Sequence, residues 1–300
     1  MKQIIQCAAN FSEGRDQTII GEIVDAAGNA SSVMVIDHSS DIDHNRMVMT
    51  LLGSPDEICT SMLAAVSAAV SRIDLRNHEG AHPRIGAVDV IPLVPIAGIE
   101  MKECVDLSYQ IGEQIAAKFS IPVYYYENSA MHESHVKLPV IRKGGFEQLV
   151  GRMLTGDRQP DAGPSYVHPS AGAVVIGARG PLVAYNINLA TDDIRIVKEI
   201  VKRIRASSDL FPGLKVLSID LKMQGRTQIS TNFTQPDLLP LGRLFDFVKA
   251  EAAHLGAEIA ESEFIGAISE KYLGDVSIND LRAYRYKSTQ TIENWISDII

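Results

Sequence analysis

A polar stretch at residues 76–89 holds the side chains of this sequence that are best suited to chemistry. It reads Arg-Asn-His-Glu-Gly-Ala-His-Pro-Arg-Ile-Gly-Ala-Val-Asp and lies between a helical pattern and a strand pattern. Packing of a hydrophobic core does not require this mixture, and rigid scaffolds often display functional groups on such loops. Histidine is the side chain most often used for proton transfer near neutral pH. We therefore expect residues 76–89 to form a functional loop, named here the histidine loop.

Within this loop, His78-Glu79-Gly80-Ala81-His82 matches the letters of the zinc-protease motif H-E-x-x-H. That motif requires a continuous helix through both histidines, whereas Gly80 weakens a helix and Pro83 disfavours helical geometry at His82. Three interpretations stay open at this point. They are a zinc hydrolase site, an ordinary polar loop with surface histidines, and a loop histidine that transfers protons.

The composition of the whole chain excludes several classes of partner. The sequence has 300 residues and a formal net charge of −9, so it lacks the basic surface that nucleic acids or anionic membranes require. No apolar run approaches the ~20 residues of a membrane span. The first residues are too few and too polar for a signal peptide. We expect a cytoplasmic protein that acts on small molecules.

The three cysteines, Cys7, Cys59 and Cys104, are far apart and odd in number. Such cysteines are typical of a reduced protein in which each thiol is a small buried hydrophobe. We predict neither a disulfide framework nor a metal cluster.

An anionic ligand of so acidic a chain must be bound by locally placed arginines. Arg46, Arg84 and Arg179 are the best placed, because each lies in a stretch rich in glycine or asparagine. Asparagines also lie near the ends of three strand patterns, among them Asn186 and Asn188. An asparagine offers a donor and an acceptor, so these residues either line a polar cleft between lobes or simply suit turns at strand ends.

The elements that must position these residues follow one order twice. In the first half, strand patterns at 3–9, 33–37, 47–52 and 88–94 alternate with two helices, the first capped by Ser12 and ending near residue 28, the second capped by Ser54 and ending near residue 72. A polar connection at 38–46 joins the second strand to the third. This βαββαβ order predicts an α+β fold with a ferredoxin-like lobe, its helices on the outer face of the sheet.

The chain then extends this lobe and repeats the order. A helix at 101–119, a strand at 122–126, a short helix at 146–154, a proline-rich loop at 157–172 and a strand at 173–178 complete the first lobe. Elements at 182–189, 191–206, 215–222, 227–233, 241–255 and 258–264 form the second. A short echo between residues 6–12 and 228–234 supports duplication, although chance explains so short a match equally well. We expect one domain at 1–178 and a second at 179–300.

Six motifs in order over residues 1–270 together resemble the glutamate formiminotransferase family. They are Asn10-Phe-Ser-Glu-Gly14, Asp43-His-Asn-Arg46, the histidine loop with its His-Pro-Arg-x-Gly-Ala core, residues 161–172, Gly177-Ala-Arg179, and Ala184-Tyr-Asn-Ile-Asn-Leu189. The resemblance implies two ferredoxin-like lobes, a homodimer, and transfer of a formimino group from N-formimino-L-glutamate to tetrahydrofolate in histidine degradation. It also implies the stand-alone, bacterial-type form, without the cyclodeaminase of the animal proteins.

The resemblance assigns roles to individual residues. It makes His82 the catalytic histidine and implies that the proline-rich loop binds folate, through Gly163, Pro164, Ser165, Tyr166, Val167, His168, Pro169, Ser170, Ala171 and Gly172. Metal ligands are not expected. Our predicted substrate-binding residues are Asp37, Asn45, Arg46, Arg84, Asp89, Arg179, Asn186 and Asn188.

The chemistry of such a transfer suits these residue types. One imidazole can take a proton from the attacking folate nitrogen and return it to the leaving nitrogen of glutamate. The formimino group is cationic near neutral pH, so a carboxylate from Asp37, Asp43 or Asp89 would favour its binding. Arginines suit the carboxylates of both substrates. For each of these charged residues, a structural role in a turn or a salt bridge is the competing interpretation.

Two departures from the family keep alternatives open. Relatives commonly have a basic residue where Glu79 stands and a glutamate where Ala81 stands, and many have an aspartate where this chain has Ser39. Transfer of formyl instead of formimino, or glycine instead of glutamate as carrier, are alternatives in the same class. A zinc hydrolase using His78, Glu79 and His82, or a folate-binding relative without activity, are alternatives of another class.

Overall fold

The computed structural model describes residues 2–154, 158–238 and 240–297, and for Leu154 only the backbone. The chain divides into two compact units, with the boundary between Arg179 and Gly180. The strands of the first unit are β1 (Ile4–Phe11), β2 (Met34–Asp41), β3 (Arg46–Gly53), β4 (Val88–Ala97), β5 (Val123–Tyr125) and β6 (Val174–Ala178). Its helices are α1 (Gln17–Ala30), α2 (Pro55–Arg72), α3 (Met101–Phe119), α4 (Leu138–Ile141) and α5 (Gly145–Leu154).

The first unit contains the predicted ferredoxin-like lobe. Its six-stranded sheet has the order β2-β3-β1-β4-β6-β5. The four strands of the βαββαβ segment pair antiparallel in the order β2-β3-β1-β4, while β6 joins β4 and β5 in parallel. The prediction of this fold is confirmed, and β5 and β6 extend the sheet as expected.

The two faces of this sheet are covered differently. Helices α1, α2 and α3 pack on one face through a core of buried aliphatic residues such as Ile23, Met62 and Ile111. A smaller cluster on the other face of β4, β5 and β6 includes Tyr124, Tyr126 and Ile141 and is covered by the segment around α4 and α5. On β1 and β3 that second face carries polar residues such as Asn10 and Thr50.

Helix starts follow local capping chemistry. Ser54 caps α2 as predicted: its hydroxyl accepts from the N–H of Glu57, whose carboxylate accepts from the N–H of Ser54. The prediction that Ser12 caps α1 is wrong, because Asp16 caps this helix and accepts from the N–H of Thr18. The Ser12 hydroxyl instead donates to the Gly86 carbonyl over 2.7 Å and so ties β1 to the end of the histidine loop.

The predicted polar connection at 38–46 is mostly strand. β2 continues to Asp41 and pairs with β3 up to Arg46, so only residues 42–45 remain as a turn. The alternation of hydrophobic residues ends at Asp37, but the backbone hydrogen bonds to β3 continue beyond it. This tight turn sets Asn45 in the left-handed region, at a φ of 47°.

The second unit repeats the first four strands of the first. Its strands are β7 (Val183–Leu189), β8 (Leu214–Leu221), β9 (Arg226–Phe233) and β10 (Ile259–Ile265), and its helices are α6 (Ile194–Ala206), α7 (Leu241–His254) and α8 (Glu293–Ile296). The strand order is β10-β7-β9-β8, all antiparallel, which confirms a second ferredoxin-like lobe. No helix among the described residues is long and apolar enough to cross a bilayer.

Candidate active site around His82

The histidine loop is held against the turn between β2 and β3. Asn45 forms the centre of this junction, because its side-chain amide donates to the Glu79 carbonyl and its side-chain oxygen accepts from the N–H of Gly14. The Ala81 N–H donates to the Asp43 carbonyl over 2.9 Å. Gly80 permits this close packing, since a Cβ there would come within 2.2 Å of the His44 carbonyl oxygen. Two other stretches of chain, the turn at 42–45 and the segment at Gly14, thus fix the path of the loop before His82.

The two ring nitrogens of His82 have different partners. Nδ1 lies 2.9 Å from the Pro83 carbonyl oxygen, which can only accept, so Nδ1 carries the proton of the neutral ring. Nε2 therefore presents its lone pair, and the Arg46 Nη1 lies 2.5 Å from it as the donor. The His44 ring lies 5.7 Å from the His82 ring, measured between centroids. Nε2 is the basic atom of this site.

Burial and positive neighbours keep His82 neutral. Its pKa lies well below the ordinary value of 6.5, chiefly because burial disfavours the charged ring, and also because Arg46, Arg142 and His44 repel a second positive charge. The hydrogen bond to Pro83 opposes this shift but is the weakest of the causes. At neutral pH the imidazole is a proton acceptor with a vacant protonation site at Nε2.

Arg142 is a charged residue beside His82 that the sequence analysis missed. Its Nη2 donates to the Asp89 carboxylate, whose other oxygen accepts from the N–H of Ile85 over 2.8 Å. Both side chains are buried, with 10% and 2% of their surfaces exposed. The sequence gives little signal for this pair, because 53 residues separate its members and Arg142 follows a helix of only four residues.

Arg84 is engaged within the protein through each of its three nitrogens. Nε donates to His78 Nδ1 over 2.9 Å, and Nη2 donates to the His78 carbonyl. Nη1 and Nη2 also form a two-point ion pair with Glu147 of α5, at 3.1 and 2.7 Å. The predicted substrate-binding residue Arg84 therefore braces the histidine loop against α5 in this structure.

The predicted catalytic and substrate-binding residues divide into three groups. Five of them share one narrow pocket, whose lining is Ser12, His44, Asn45, Arg46, His78, His82, Arg84 and Asp89. Asp37, opposite Thr50 in the β2–β3 ladder, and Arg179 are not part of this lining. Arg179 hydrogen-bonds the Tyr126 hydroxyl, which partly offsets the rise that burial gives the Tyr126 pKa.

Asn186 and Asn188 belong to the second unit and lie on the face of its sheet that points away from the hydrophobic core. The Asn186 amide donates to the Glu263 carboxylate over 3.1 Å, and the Asn188 side-chain oxygen accepts from Gln228. Both asparagines are buried. They lie within β7, not beyond its end, and form a polar cluster on one sheet face.

The end of the proline-rich loop is joined to the histidine loop. Residues 158–172 contain no helix or strand, as predicted, while residue 157 lies outside the described residues. The Ala87 N–H donates to the Ala171 carbonyl and the Ala173 N–H donates to the Ile85 carbonyl, each over 2.9 Å. Gly172 thus pairs with Gly86, and Gly86 lies four positions after His82 in the chain.

The exposed part of the proline-rich loop presents an aromatic ring. Tyr166 has 60% of its surface exposed, which is unusual for a large aromatic side chain. The start of the loop is anchored by Asp161, whose buried carboxylate accepts from the Tyr125 N–H over 2.7 Å and from His135 Nδ1 over 2.9 Å. Sequence analysis gave His135 no role, because it lies in a region without periodicity. The loop is therefore fixed at both ends and open in its middle.

The zinc interpretation is not favoured by this geometry. Residues 78–82 lie outside any helix, so the two histidines do not share a helix face. His78 uses both ring nitrogens, one with Arg84 and the other with the Asn45 carbonyl. Among the described residues, no group of three or more His, Cys, Asp or Glu side chains is arranged to hold a metal ion. Cys7, Cys59 and Cys104 are free and buried, as predicted.

Comparison with known proteins identifies the family. Residues 4–179 match the formiminotransferase domain, N-terminal subdomain, and residues 184–292 match the formiminotransferase domain. The chain belongs to the formiminotransferase family. This is a transferase family, and the resemblance found in the sequence is confirmed.

Two stand-alone relatives and one longer relative are informative. A glutamate formimidoyltransferase of Streptococcus pyogenes serotype M1 is 40% identical and covers 92% of this chain and 93% of its own length. A glutamate formimidoyltransferase of Thermoplasma acidophilum is 38% identical over 91% of each chain. A formimidoyltransferase-cyclodeaminase of Rattus norvegicus is 34% identical, with 92% of this chain matching 52% of that protein.

Proposed function

We propose that this protein is a glutamate formimidoyltransferase that moves the formimino group of N-formimino-L-glutamate to N5 of tetrahydrofolate. The observation that carries the proposal is the neutral His82 ring, with Nε2 as its basic atom, in a chain 40% identical to a glutamate formimidoyltransferase over almost its whole length. The zinc hydrolase alternative lacks the helix that its motif needs.

The reaction requires one proton to be moved between two nitrogens. N5 of tetrahydrofolate attacks the amidine carbon, and a bond forms between that nitrogen and the carbon. The bond from this carbon to the glutamate nitrogen then breaks. His82 Nε2 accepts the proton that N5 loses and returns it to the departing glutamate nitrogen, so the ring ends in its starting state.

The arrangement also lowers the barrier by alignment. Holding two large substrates in a reactive orientation contributes up to about 7–11 kcal/mol when the geometry is ideal. We infer that the proline-rich loop, residues 163–172, binds the folate, with Tyr166 as an exposed face for the pterin. Its junction with the histidine loop at Gly86 and Gly172 supports this assignment.

For the donor, we propose contacts from Arg46 and Asn45 beside His82. We also propose Asp37, Arg179, Asn186 and Asn188 as substrate-binding residues. Arg84 and Asp89 are engaged with other residues, so each contributes through the position it gives to a neighbour. We further propose a role in histidine degradation, a cytoplasmic location and a homodimer.

The direct test is an assay of the purified protein with tetrahydrofolate and N-formimino-L-glutamate. We expect absorbance of 5-formimino-tetrahydrofolate to develop and L-glutamate to be released in equal amount. Omission of either substrate is the control. A protein that binds tetrahydrofolate but releases no glutamate would instead be a non-catalytic folate-binding relative.

A further inference from the structure

Two buried guanidinium groups beside His82 have donors that the protein does not use. Within the described residues, the Nε atoms of Arg46 and Arg142 are buried and have no hydrogen-bond partner. An unsatisfied buried donor destabilises a protein, and more so when its group is charged. Nearly all of the Arg142 side chain is buried, so these donors are not satisfied by bulk water. Arg46 and Arg142 can therefore donate to an acceptor from a bound ligand.

The charges of the cluster give the sign of that acceptor. Arg46 and Arg142 are two positive charges, and Asp89 is the carboxylate that opposes them, while the adjacent rings of His82 and His44 add no negative charge. Burial and the charge of Arg142 both lower the pKa of Arg46, and Asp89 only partly compensates. An anion bound beside Arg46 would therefore be favourable, because it would offset the part of this positive charge that Asp89 does not.

We propose that Arg46 and Arg142 form one anion-binding position beside His82, and that it takes the α-carboxylate of the amino-acid donor. The inference rests on the proposed function, which supplies that donor. The α-carboxylate is separated from the transferred carbon by only the nitrogen and the α-carbon. The carboxylates of folate lie beyond its aromatic ring, far from N5. A position in contact with the catalytic imidazole therefore suits the donor and not the folate tail.

Binding of the donor at this position also affects the proposed base. Arg46 Nη1 contacts His82 Nε2, the atom that must receive the proton from folate. A carboxylate is a stronger acceptor for a guanidinium than a neutral imidazole, because both partners are then charged. A donor bound to Arg46 and Arg142 draws the Arg46 side chain away from the ring and releases Nε2. The donor thereby prepares the base that its own transfer requires.

Binding of L-glutamate, measured by calorimetry without turnover, tests the position directly. The variants are Arg46→Lys and Arg142→Lys, which keep the positive charge and the partner of Asp89 but lose the planar, five-donor fork. We expect glutamate to bind each at least about tenfold more weakly, the effect of losing one charge-assisted hydrogen bond. Arg72→Lys is the matched control, because Arg72 pairs with Glu22 between α1 and α2, and its affinity should stay within about twofold of the parent.

Tetrahydrofolate is the second probe in the same experiment, since it too carries carboxylates. We expect its affinity for the Arg142→Lys variant to stay within about twofold of the parent. If that variant loses affinity for tetrahydrofolate and not for glutamate, the position serves folate and the inference is overturned. Equal glutamate affinity in the parent and both Lys variants overturns it as well, as does a parent that does not bind glutamate.

The state of His82 provides a readout that a purely structural role of Arg142 would not change. NMR of the His82 ring should show its pKa rising when glutamate binds to the parent, because the added negative charge offsets Arg46, Arg142 and His44, with Asp89 already present in both states. Glutamate that binds without changing the His82 resonances contradicts the proposal. Turnover is measured separately, so a protein that transfers formimino groups and fails these tests retains the proposed function alone.

Discussion

Proton transfer at His82 depends on which of its two nitrogens is available. The hydrogen bond from Nδ1 to the Pro83 carbonyl selects one tautomer and aims Nε2 into the pocket. The proline that breaks the helix of the zinc motif therefore also supplies the acceptor that orients the ring. Pro83 therefore disfavours a zinc site and at the same time orients His82 for proton transfer.

Replacing His82 with Gln tests its role as acid and base. The amide can hydrogen-bond in a similar volume but cannot take up a proton, so we expect kcat to fall by about 10²–10⁴-fold. Stability should change less than activity, because glutamine can keep a hydrogen bond with Arg46. His254→Gln, at an exposed position of α7, is the control for the same chemical change. A His82→Gln protein with kcat within about threefold of the parent would exclude general acid–base catalysis by this residue.

The pH dependence of kcat/KM follows from the lowered pKa of His82. The neutral ring is the active base, so activity falls only when the pH drops through the pKa of the folded protein, well below 6.5. We expect a flat profile from pH 6.5 to 7.5. In the Arg46→Gln variant the loss of a nearby positive charge raises this pKa, and the acid limb should move to higher pH. An acid limb at or above pH 6.5 in the parent would contradict the buried, positively charged environment of the ring.

Among individual residues, the sequence revealed those whose type is unusual for their position. His82, Arg46 and Asp89 stood out because a loop or turn rarely needs them for packing, and the structure places them in one pocket. Arg142 and His135 did not stand out, because their importance comes from partners 53 and 26 residues away. Ion pairs between residues far apart in the chain produce no local sequence pattern from which they could be predicted.

The junction of the two loops is the element that aligns the proposed base with the proposed folate site. Gly172 has a φ of 69°, and a Cβ there would lie within 2.1 Å of the Ile85 carbonyl oxygen, an acceptor of this junction. We expect Gly172→Ala to separate the loops, lowering kcat/KM by at least about tenfold and stability by about 1 kcal/mol or more.

Gly21→Ala is the control for this substitution. Gly21 lies in α1 with nothing within 4 Å of an added Cβ, so alanine should stabilise the protein by about 0.5–1 kcal/mol and leave activity unchanged. Activity is measured with saturating donor, and stability by urea denaturation. A Gly172→Ala protein as active and stable as the parent would show that the junction tolerates a side chain.

Tyr166 tests the proline-rich loop as a folate site. Its ring is largely exposed, so Tyr166→Ala should not destabilise the fold, and it removes a stacking face for the pterin. We expect the dissociation constant of tetrahydrofolate to rise about 5–20-fold, with the melting temperature unchanged. Tyr284→Ala is a matched control, because Tyr284 is 63% exposed in the second unit. Equal effects of the two substitutions on folate affinity would remove Tyr166 from the site.

Regular elements were predicted where hydrophobic periodicity is continuous. The bounds of α3, Met101–Phe119, were predicted to the residue, because capping at Glu100 and a long amphipathic stripe define it. β2 was predicted to end four residues too early, since His38, Ser39, Ser40 and Asp41 carry no strand signal. Pairing with β3 overrides that weak local preference. The element that the sequence described least well is thus the hairpin that presents Asn45 and Arg46.

The molecule as a whole uses the same supersecondary order twice, with strand orders β2-β3-β1-β4 and β10-β7-β9-β8. Among the described residues, β5, β6 and the segment around α4 and α5 extend the first unit alone, and this addition supplies Arg142 and the proline-rich loop. The repeated order could be read from the sequence because each half has its own alternation of strands and helices. The strands and the proline-rich loop of this addition were also predicted from the sequence, whereas Arg142 was not, because its partner Asp89 is 53 residues away.

The preferred donor distinguishes the alternatives within the family: formimino or formyl as the transferred group, and glutamate or glycine as the carrier. N-formimino-L-glutamate offers two carboxylates and a cationic amidine, whereas N-formimino-glycine lacks the side-chain carboxylate and N-formyl-L-glutamate lacks the positive charge. Each loss removes about one charge-assisted contact, worth about 1.5–3 kcal/mol. We therefore expect kcat/KM for N-formimino-L-glutamate to exceed both others by about 10–100-fold.

Side-by-side kinetics at one tetrahydrofolate concentration measure this preference, and the pattern of the loss identifies its cause. The glycine carrier should raise KM with a smaller effect on kcat, because it removes binding energy that the ground state and transition state share. The formyl donor should lower kcat, because its neutral carbonyl is a weaker electrophile for N5. These kinetics also test the effect of Ser39, which stands two residues after Asp37 on β2 where many relatives have an aspartate. A higher kcat/KM with the formyl donor would identify the protein as a formyltransferase built on the same His82 site.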